Sequence, residues 1–194
     1  MIYGEPVPLR GDDRRIYAPW SYERLASAAI LPIVASEVEA LSGAFPVVWA
    51  QEADALTLCI LRSFRQDGLG LLPIPNRLEV LPLLALAYPV RLDAASASLC
   101  LDDVVAENPT DGGAPLFEAS GTPSAGLEMK VSALSRYRAN LAFTQSLTEA
   151  LQERDLLEPW QIPTKDIENP WQRPFLIWSR TRDANAQLPH IVSE

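Results

Sequence analysis

The sequence predicts an α+β fold in which antiparallel strands pack with a short N-terminal helical region and one long C-terminal amphipathic helix. The order of the patterns carries this prediction, because short helical stretches come first, several strand-like apolar runs follow, and a long helical period comes after them. The 194 residues are 48% hydrophobic and 21% charged, which is enough for a sizeable core. We expect a single domain over 1–194, with an extended arm over 1–15 and a short irregular region over 160–194.

The N-terminal helical region is predicted from composition and from its breakers. Residues 21–29 have a helical composition, and Pro32 interrupts them. Residues 35–42 alternate apolar and acidic side chains, and Gly43 follows in the position that glycine favours after a helix. Two short helices are therefore expected before the first strand.

The strand predictions begin with a hairpin. PVVWAQ from Pro46 and ALTLCILRSF from Ala55 are strand-like runs separated by a short polar gap, which predicts a β-hairpin. The next stretch is rich in proline, which cannot donate to a central strand, so most of it is not expected to form one. Within it, residues 83–92 resemble regular structure. Two further runs are predicted as strands, SLCLDD from Ser98 and FLIWSR from Phe175.

The long helix is predicted by apolar residues that recur every three to four positions from Leu127 to Leu151. Its charged residues, Lys130 among them, are expected to lie mostly off this apolar stripe. The width of the stripe is typical of a helix half-buried against a core, and a surface for a partner helix is the alternative.

Both ends of this helix carry recognisable signals. Thr122 is expected to cap its first backbone donors, and Pro123 fits the first helical position because it has no N–H to leave unpaired. Pro159 cannot continue a helix, so we expect the helix to end near Leu157.

Charge and segment lengths limit the partners. The formal net charge is −9, which argues against a nucleic-acid surface and against binding to an anionic membrane. The first fifteen residues lack the apolar core of a secretory signal, and no apolar run is long enough to span a bilayer. We therefore expect a cytoplasmic protein whose partner is another protein or a small ligand, and a homo-oligomer stays open.

Cysteine and histidine usage predicts no metal site and no cofactor. Cys59 and Cys100 lie in apolar strand-like runs and are expected to be buried thiols, with a disulfide as the alternative if their strands are neighbours. The single histidine, His190, lies in a tail that follows a proline, and no nucleophile elbow or phosphate-binding loop occurs. These features disfavour an enzyme without excluding one.

Three carboxylates are candidate ligand-binding residues. Asp102 and Asp103 end a predicted strand, and Glu118 lies in the loop before the long helix. Carboxylates from two segments could act as acid and base or bind a divalent cation, and a solvated turn is the structural alternative. Adjacent residues of a strand point to opposite faces, so we expect only one of the two Asp side chains to face a given pocket.

Arg91, Glu37 and two tryptophans complete the candidate residues. Glu37 lies on a predicted helix and Arg91 follows a predicted strand, so the two could bind a ligand, and a buried ion pair that fixes the fold is the favoured interpretation. Trp160 and Trp171 are predicted in loops, where an aromatic ring could stack on a sugar or a base.

Several blocks in a fixed order resemble the SapC-like family. They are AILPIVASEVEALSGAFPVVW, ALAYPVRL, SLCLDD, PLFEASGTPS and the end of the long helix, LLEPW, and together they cover Val7 to about Ile162. The chain departs from the family in LPIPNRLEVLPLL, before the second block, and in a shortened C-terminal region. The family is bacterial and is named after a surface-array gene cluster, and the resemblance implies no catalytic motif.

Two functions are therefore expected, in this order. The first is a non-catalytic accessory or binding protein of a bacterial cell-envelope or uptake system, as the resemblance implies. The second is an enzyme of unrecognised type that uses the carboxylates of Asp102, Asp103 and Glu118, with or without a divalent metal.

Overall fold

A computed structural model describes residues 2–9, 14–52, 55–65, 81–93, 98–105, 112–160 and 175–178. The strands in chain order are β1 (Pro6–Pro8), β2 (Arg15–Ile16), β3 (Ile30–Pro32), β4 (Val47–Glu52), β5 (Ala55–Leu61), β6 (Val90–Leu92), β7 (Leu99–Asp102), β8 (Ala114–Pro115), β9 (Leu157–Pro159) and β10 (Leu176–Trp178). The α-helices are α1 (Glu23–Ser27), α2 (Val38–Leu41), α3 (Leu83–Ala87) and α4 (Ala125–Glu153), and 3₁₀ turns precede α1 and α2. The predicted α+β class is confirmed.

The described strands form antiparallel sheets. Five strands lie in the order β3-β5-β4-β10-β9, three in the order β1-β7-β6, and β2 pairs with β8. The predicted hairpin is confirmed as β4 and β5, which pair from Val47 opposite Ile60 to Glu52 opposite Ala55. Residues 83–92, predicted as one regular stretch, form α3 and then β6.

Helix α4 packs on one face of the five-stranded sheet. Strand side chains alternate between the two faces, so Trp49 and Leu58 belong to the main core beneath α4, while Val48 and Cys59 belong to a smaller cluster on the opposite face. The indole Nε1 of Trp49 donates to Thr148 Oγ1 of α4 at 3.1 Å, which fixes the helix on the sheet.

The two cysteines lie in different sheets. Cys59 belongs to β5 and Cys100 to β7, and both are buried thiols that form no disulfide. The predicted thiol state is therefore confirmed, and the alternative of a disulfide is wrong because the strands that carry these residues are not neighbours.

The start of α4 differs from the prediction. Ser124, not Thr122, is the cap, and its hydroxyl accepts from the backbone N–H of Leu127 at 3.3 Å. Pro123 precedes the helix and bridges to Phe117. Thr122 is instead occupied by the turn, because its carbonyl accepts from the N–H of Glu118 at 2.8 Å.

The end of α4 also differs, since the helix ends at Glu153 and Leu157 already belongs to β9. Asp155 adopts φ 54°, and its N–H donates to the carbonyl of Gln152 at 3.0 Å. The N–H of Leu156 donates to the carbonyl of Leu151 at 2.9 Å. These two bonds form a Schellman termination, so a left-handed aspartate ends the helix before Pro159 can do so.

The parts of the predicted arm 1–15 that the structure describes, 2–9 and 14–15, pair with the rest of the protein. β1 lies at one edge of the three-stranded sheet, where Val7 pairs with Leu101 of β7, and Arg15 in β2 pairs with Pro115. Most of the region predicted as irregular, 160–194, lies outside the described residues, and the strand predicted from Phe175 is confirmed as β10.

Candidate functional site

Asp102 is the centre of a polar cluster at the end of β7. Its side chain has no solvent exposure, and each of its oxygens accepts hydrogen bonds. One oxygen accepts from the Arg24 guanidinium at 2.9 Å and from the Tyr88 hydroxyl and the Val104 N–H at 3.3 Å, and the other accepts from the Gly4 N–H at 2.6 Å. The carboxylate is thus bound to three distant segments of the chain and to the turn that follows β7.

Asp103 joins the same cluster from the turn that follows β7. Its carboxylate also accepts from Arg24, so one guanidinium binds both aspartates. The expectation that the two side chains point to opposite faces is wrong, because the strand ends at Asp102 and its alternation ends there too. The hydrogen bond from Arg24 lowers the pKa of Asp103 below its usual range.

Glu118 does not complete a three-carboxylate site. It lies exposed in the turn between β8 and α4, where its backbone N–H is bound within the turn. Across the described part of the chain, no three His, Cys, Asp or Glu side chains gather closely enough to hold a metal ion. The structure therefore brings together the two aspartates and leaves Glu118 out of their cluster.

Glu37 and Arg91 do not form the expected ion pair. The Glu37 carboxylate accepts from the backbone N–H of Val34 at 2.9 Å and of Leu83 at 2.6 Å, so it joins the turn before α2 to the start of α3. Burial raises the pKa of Glu37 above its usual value. The Arg91 guanidinium instead donates to the carbonyl of Gly4. Both residues bind backbone groups, and each holds a different pair of segments together.

The two tryptophans have different outcomes. Trp160 is partly buried, and its ring centroid lies 5.9 Å from that of Phe64. Its backbone N–H donates to the Phe175 carbonyl at 2.7 Å. These contacts make Trp160 part of the cluster on the sheet face opposite α4. Trp171 lies outside the described residues.

An aromatic group surrounds the polar cluster. The buried ring of Tyr88 lies between Tyr3 and Tyr22, with centroid distances of 5.5 Å and 5.7 Å. The hydroxyl of Tyr22 donates to the Tyr88 carbonyl at 3.4 Å, and the peptide bond between Tyr88 and Pro89 is cis. The backbone at the end of α3 is therefore enclosed by aromatic rings.

Lys130 of α4 is buried against this group. Its side chain is 2% exposed, and its amine donates to the carbonyl of Leu86 at 3.2 Å and to the carbonyl of Tyr88. The same nitrogen lies 4.7 Å from the ring centroid of Tyr17 and 5.3 Å from that of Tyr22. Burial lowers the pKa of Lys130 to about 8. The expectation that this lysine lies off the apolar stripe is wrong.

A cleft opens at the other end of α4. It has a volume of about 330 Å³ and lies between the C-terminal half of α4 and the first residues of β5. Apolar side chains, among them Leu56 and Leu141, form part of its lining, and exposed polar side chains of α4 form one edge, namely Gln145, Glu149 and Gln152.

Two threonines of α4 line the cleft and bind neighbouring segments. Thr144 Oγ1 accepts from the backbone N–H of Ala35 at 2.9 Å, and Thr148 Oγ1 accepts from the indole of Trp49. Each hydroxyl also donates to a carbonyl one turn earlier in α4, at 2.8 Å for Thr144 and 2.9 Å for Thr148. The helix is therefore bound to the 3₁₀ turn after β3 through Thr144 and to β4 through Thr148, and the cleft lies beside these contacts.

The sequence interpretation missed Arg24, Tyr88 and Lys130. A signal existed for Lys130, because it lies three residues after Leu127 and four before Leu134, which is the spacing of the apolar stripe itself. It is also one of only two lysines in the chain. No comparable pattern marks Arg24 or Tyr88, because their partner Asp102 lies far away in sequence.

The fold and the site define an α+β protein in which one long helix lies over an antiparallel sheet, and in which two aspartates share one guanidinium at the end of β7. The chain matches the family model described as SapC over residues 12–174, and it belongs to the SapC family. No curated protein and no solved structure matches it. No helix in the described ranges is long and apolar enough to cross a membrane.

Proposed function

We propose that this protein is a non-catalytic accessory or binding protein of a bacterial cell-envelope or uptake system, and that its ligand occupies the cleft between α4 and β5. The observation that carries the proposal is the cleft itself. Its volume of about 330 Å³ falls in the range of small-molecule sites, and it combines an apolar lining with a few polar groups.

The charges of the cleft favour a neutral or cationic ligand. Among its described lining residues Glu149 carries the one charge, and the whole chain is acidic, with a formal net charge of −9. An anion would be repelled by that carboxylate and would find no cation among these residues to replace its lost hydration. Amide and hydroxyl groups suit a ligand with several hydrogen-bonding groups, such as a saccharide or a polar amine.

The carboxylate enzyme has weaker support. The Asp102 carboxylate is fully buried and already accepts four hydrogen bonds, so a substrate or a metal ion would have to displace existing contacts to reach it. Arg24 also binds Asp103, and Glu118 is not part of the cluster. These contacts favour a structural role for the two aspartates.

Thermal unfolding with a ligand panel tests the binding function. Neutral saccharides, amines and organic anions are each added to the full chain, and a ligand that binds only the folded protein raises the Tm. A ligand at about 100 times its Kd adds roughly 2.7 kcal/mol to the free energy of unfolding, a shift of a few degrees. We expect a shift with a neutral or cationic compound and none with the anions.

Two variants of adjacent residues locate the site. Gln145→Trp should fill the cleft and abolish the shift, whereas Ser146→Trp, on an exposed residue of α4 outside the lining, should retain it. A shift that persists in Gln145→Trp would place the ligand elsewhere. The uptake context is tested separately, by asking whether a strain without the gene loses uptake of the compound so identified.

A further inference from the structure

The environment of Lys130 is unusual for a buried cation. The side chain is 2% exposed, and among the described residues no carboxylate contacts its amine. Its polar partners are two backbone carbonyls, those of Leu86 and Tyr88, and its remaining neighbours include the ring faces of Tyr17 and Tyr22. A lysine buried without a counter-ion loses hydration that nothing here fully replaces.

This set of partners suits a neutral amine. A neutral amine has two N–H donors, and the carbonyls of Leu86 and Tyr88 accept both of them. Loss of the third proton breaks no hydrogen bond to a described residue and leaves a lone pair on the nitrogen, and its cost is the attraction between the ammonium and the rings of Tyr17 and Tyr22. Burial places the pKa of Lys130 at about 8, so about half of the molecules hold a neutral amine at that pH. An ordinary lysine, with a pKa near 10.4, would be roughly 0.4% neutral there.

Titratable groups around the amine stay protonated in this pH range. Tyr17 and Tyr22 face it with their rings, and Tyr88 faces it with its backbone. Burial raises the pKa of all three tyrosines above their usual value, so their hydroxyls remain neutral when the amine loses its proton.

Tyr17 separates the amine from solvent. Tyr17 is 41% exposed, and its ring lies over the Lys130 nitrogen. Its backbone has φ 69°, a left-handed conformation that a bulky residue rarely adopts. Gly126 leaves the space for the ring, because a Cβ at that position would lie 2.9 Å from a Tyr17 ring carbon. One side-chain rotation of Tyr17 would therefore expose the amine.

We propose that Lys130 is a reactive amine that forms an imine with a small, uncharged aldehyde or ketone after the Tyr17 side chain turns aside. The lysine nitrogen attacks the carbonyl carbon, the two protons of the neutral amine pass to the carbonyl oxygen, which leaves as water, and a C=N bond replaces the C=O bond. No oxidant, reductant or metal is consumed. The ring faces of Tyr17 and Tyr22 beside the amine favour an apolar carbonyl compound over a charged one. This inference does not depend on the cleft.

Trapping of the imine tests the proposal. The starting protein is the full chain with Lys165→Arg, in which Lys130 is the one remaining lysine. Propanal is added with cyanoborohydride, which reduces any imine to a stable secondary amine, and mass spectrometry of the peptides locates the adduct. We expect an adduct on Lys130 at pH 8, with a rate that rises between pH 7 and 9.

Three comparisons complete the test. Tyr17→Ala should accelerate the adduct on Lys130 severalfold, whereas Tyr17→Phe, which keeps the ring, should not. Lys130→Arg in the same background should remove the adduct and leave that of the N-terminal amine. If the folded protein reacts at its N-terminal amine but not at Lys130 between pH 8 and 9, Lys130 is a structural lysine and the proposal is overturned. A Tyr17→Ala rate equal to that of the parent would overturn the part assigned to Tyr17.

Discussion

The two halves of α4 contact the rest of the protein in opposite ways. The N-terminal half packs on α3 and on aromatic residues, and the lysine there is enclosed by carbonyls and rings. The C-terminal half is bound through the hydroxyl of Thr144 to the 3₁₀ turn after β3 and through that of Thr148 to β4, and beside them lies a cleft of about 330 Å³. The space beside one regular helix is therefore filled along its N-terminal half and open along its C-terminal half, depending on which segments pack against it.

The largest expected effect concerns the polar cluster around Asp102, which lies near the closed, N-terminal half of α4 through Tyr88. Asp102→Ala should lower the free energy of unfolding by roughly 3–5 kcal/mol, because it leaves Gly4, Arg24 and Tyr88 without their shared buried acceptor. Urea unfolding measures the loss. Asp103→Ala is the matched control and should cost much less, since its ion pair with Arg24 lies in solvent. Equal losses of stability in Asp102→Ala and Asp103→Ala would show that the buried contacts of Asp102 contribute no more than the exposed ion pair of Asp103.

A smaller effect is expected at the open end. Thr148→Val keeps the shape of the side chain but removes the acceptor of the Trp49 indole, so we expect a loss of about 1–2 kcal/mol. Ser146→Val, on the exposed side of α4, is the control for the lower helix propensity of valine. A loss as large as that of Asp102→Ala would mean that both ends of α4 are equally dependent on buried polar contacts.

The smallest effect is a pH dependence that should occur only at the closed end. Between pH 8 and 10.5 the unfolded chain keeps a proton on Lys130 that the folded chain has released. The free energy of unfolding therefore rises with pH in this window, by at most about 1.4 kcal/mol per pH unit. Lys130→Met should remove this contribution, so the difference between parent and variant should change by about 1 kcal/mol from pH 8 to 9.

The difference in stability between parent and Lys130→Met removes the contributions of the other titrating groups, because both proteins contain them. The buried tyrosines and Cys100 have raised pKa values, so they lower stability as the pH rises through the ordinary pKa of a thiol, near 9, and of a phenol, near 10, in both proteins alike. A pH-independent difference between parent and Lys130→Met would contradict the lowered pKa and would weaken the case for a reactive amine.

Sequence patterns predicted the elements that depend on local periodicity. The sequence predicted the β4–β5 hairpin and the body of α4, because both depend on patterns of apolar residues close together in the sequence. The ends of α4 were placed wrongly because several residues could serve. Thr122 and Ser124 are both cap formers, and the bond from the Ser124 N–H to the Leu116 carbonyl decides between them.

The polar cluster was predicted only in part, because its contacts join distant segments. Asp102 was identified as a candidate, but Arg24 lies 78 residues away and nothing local connects the two. Lys130 was assigned to the polar face because charged residues usually point outward. The structure reverses that assignment, since backbone carbonyls of α3 lie where a counter-ion would be expected.

The prolines of β1 affect how copies of the protein can associate. Among the described strands β1 lies at the edge of its sheet, and Pro6 and Pro8 carry no backbone N–H. An edge with missing donors is a poor template for a strand from a second chain, because the ladder of hydrogen bonds would be interrupted at every other residue. β1 thus protects the three-stranded sheet against edge-to-edge aggregation on that side.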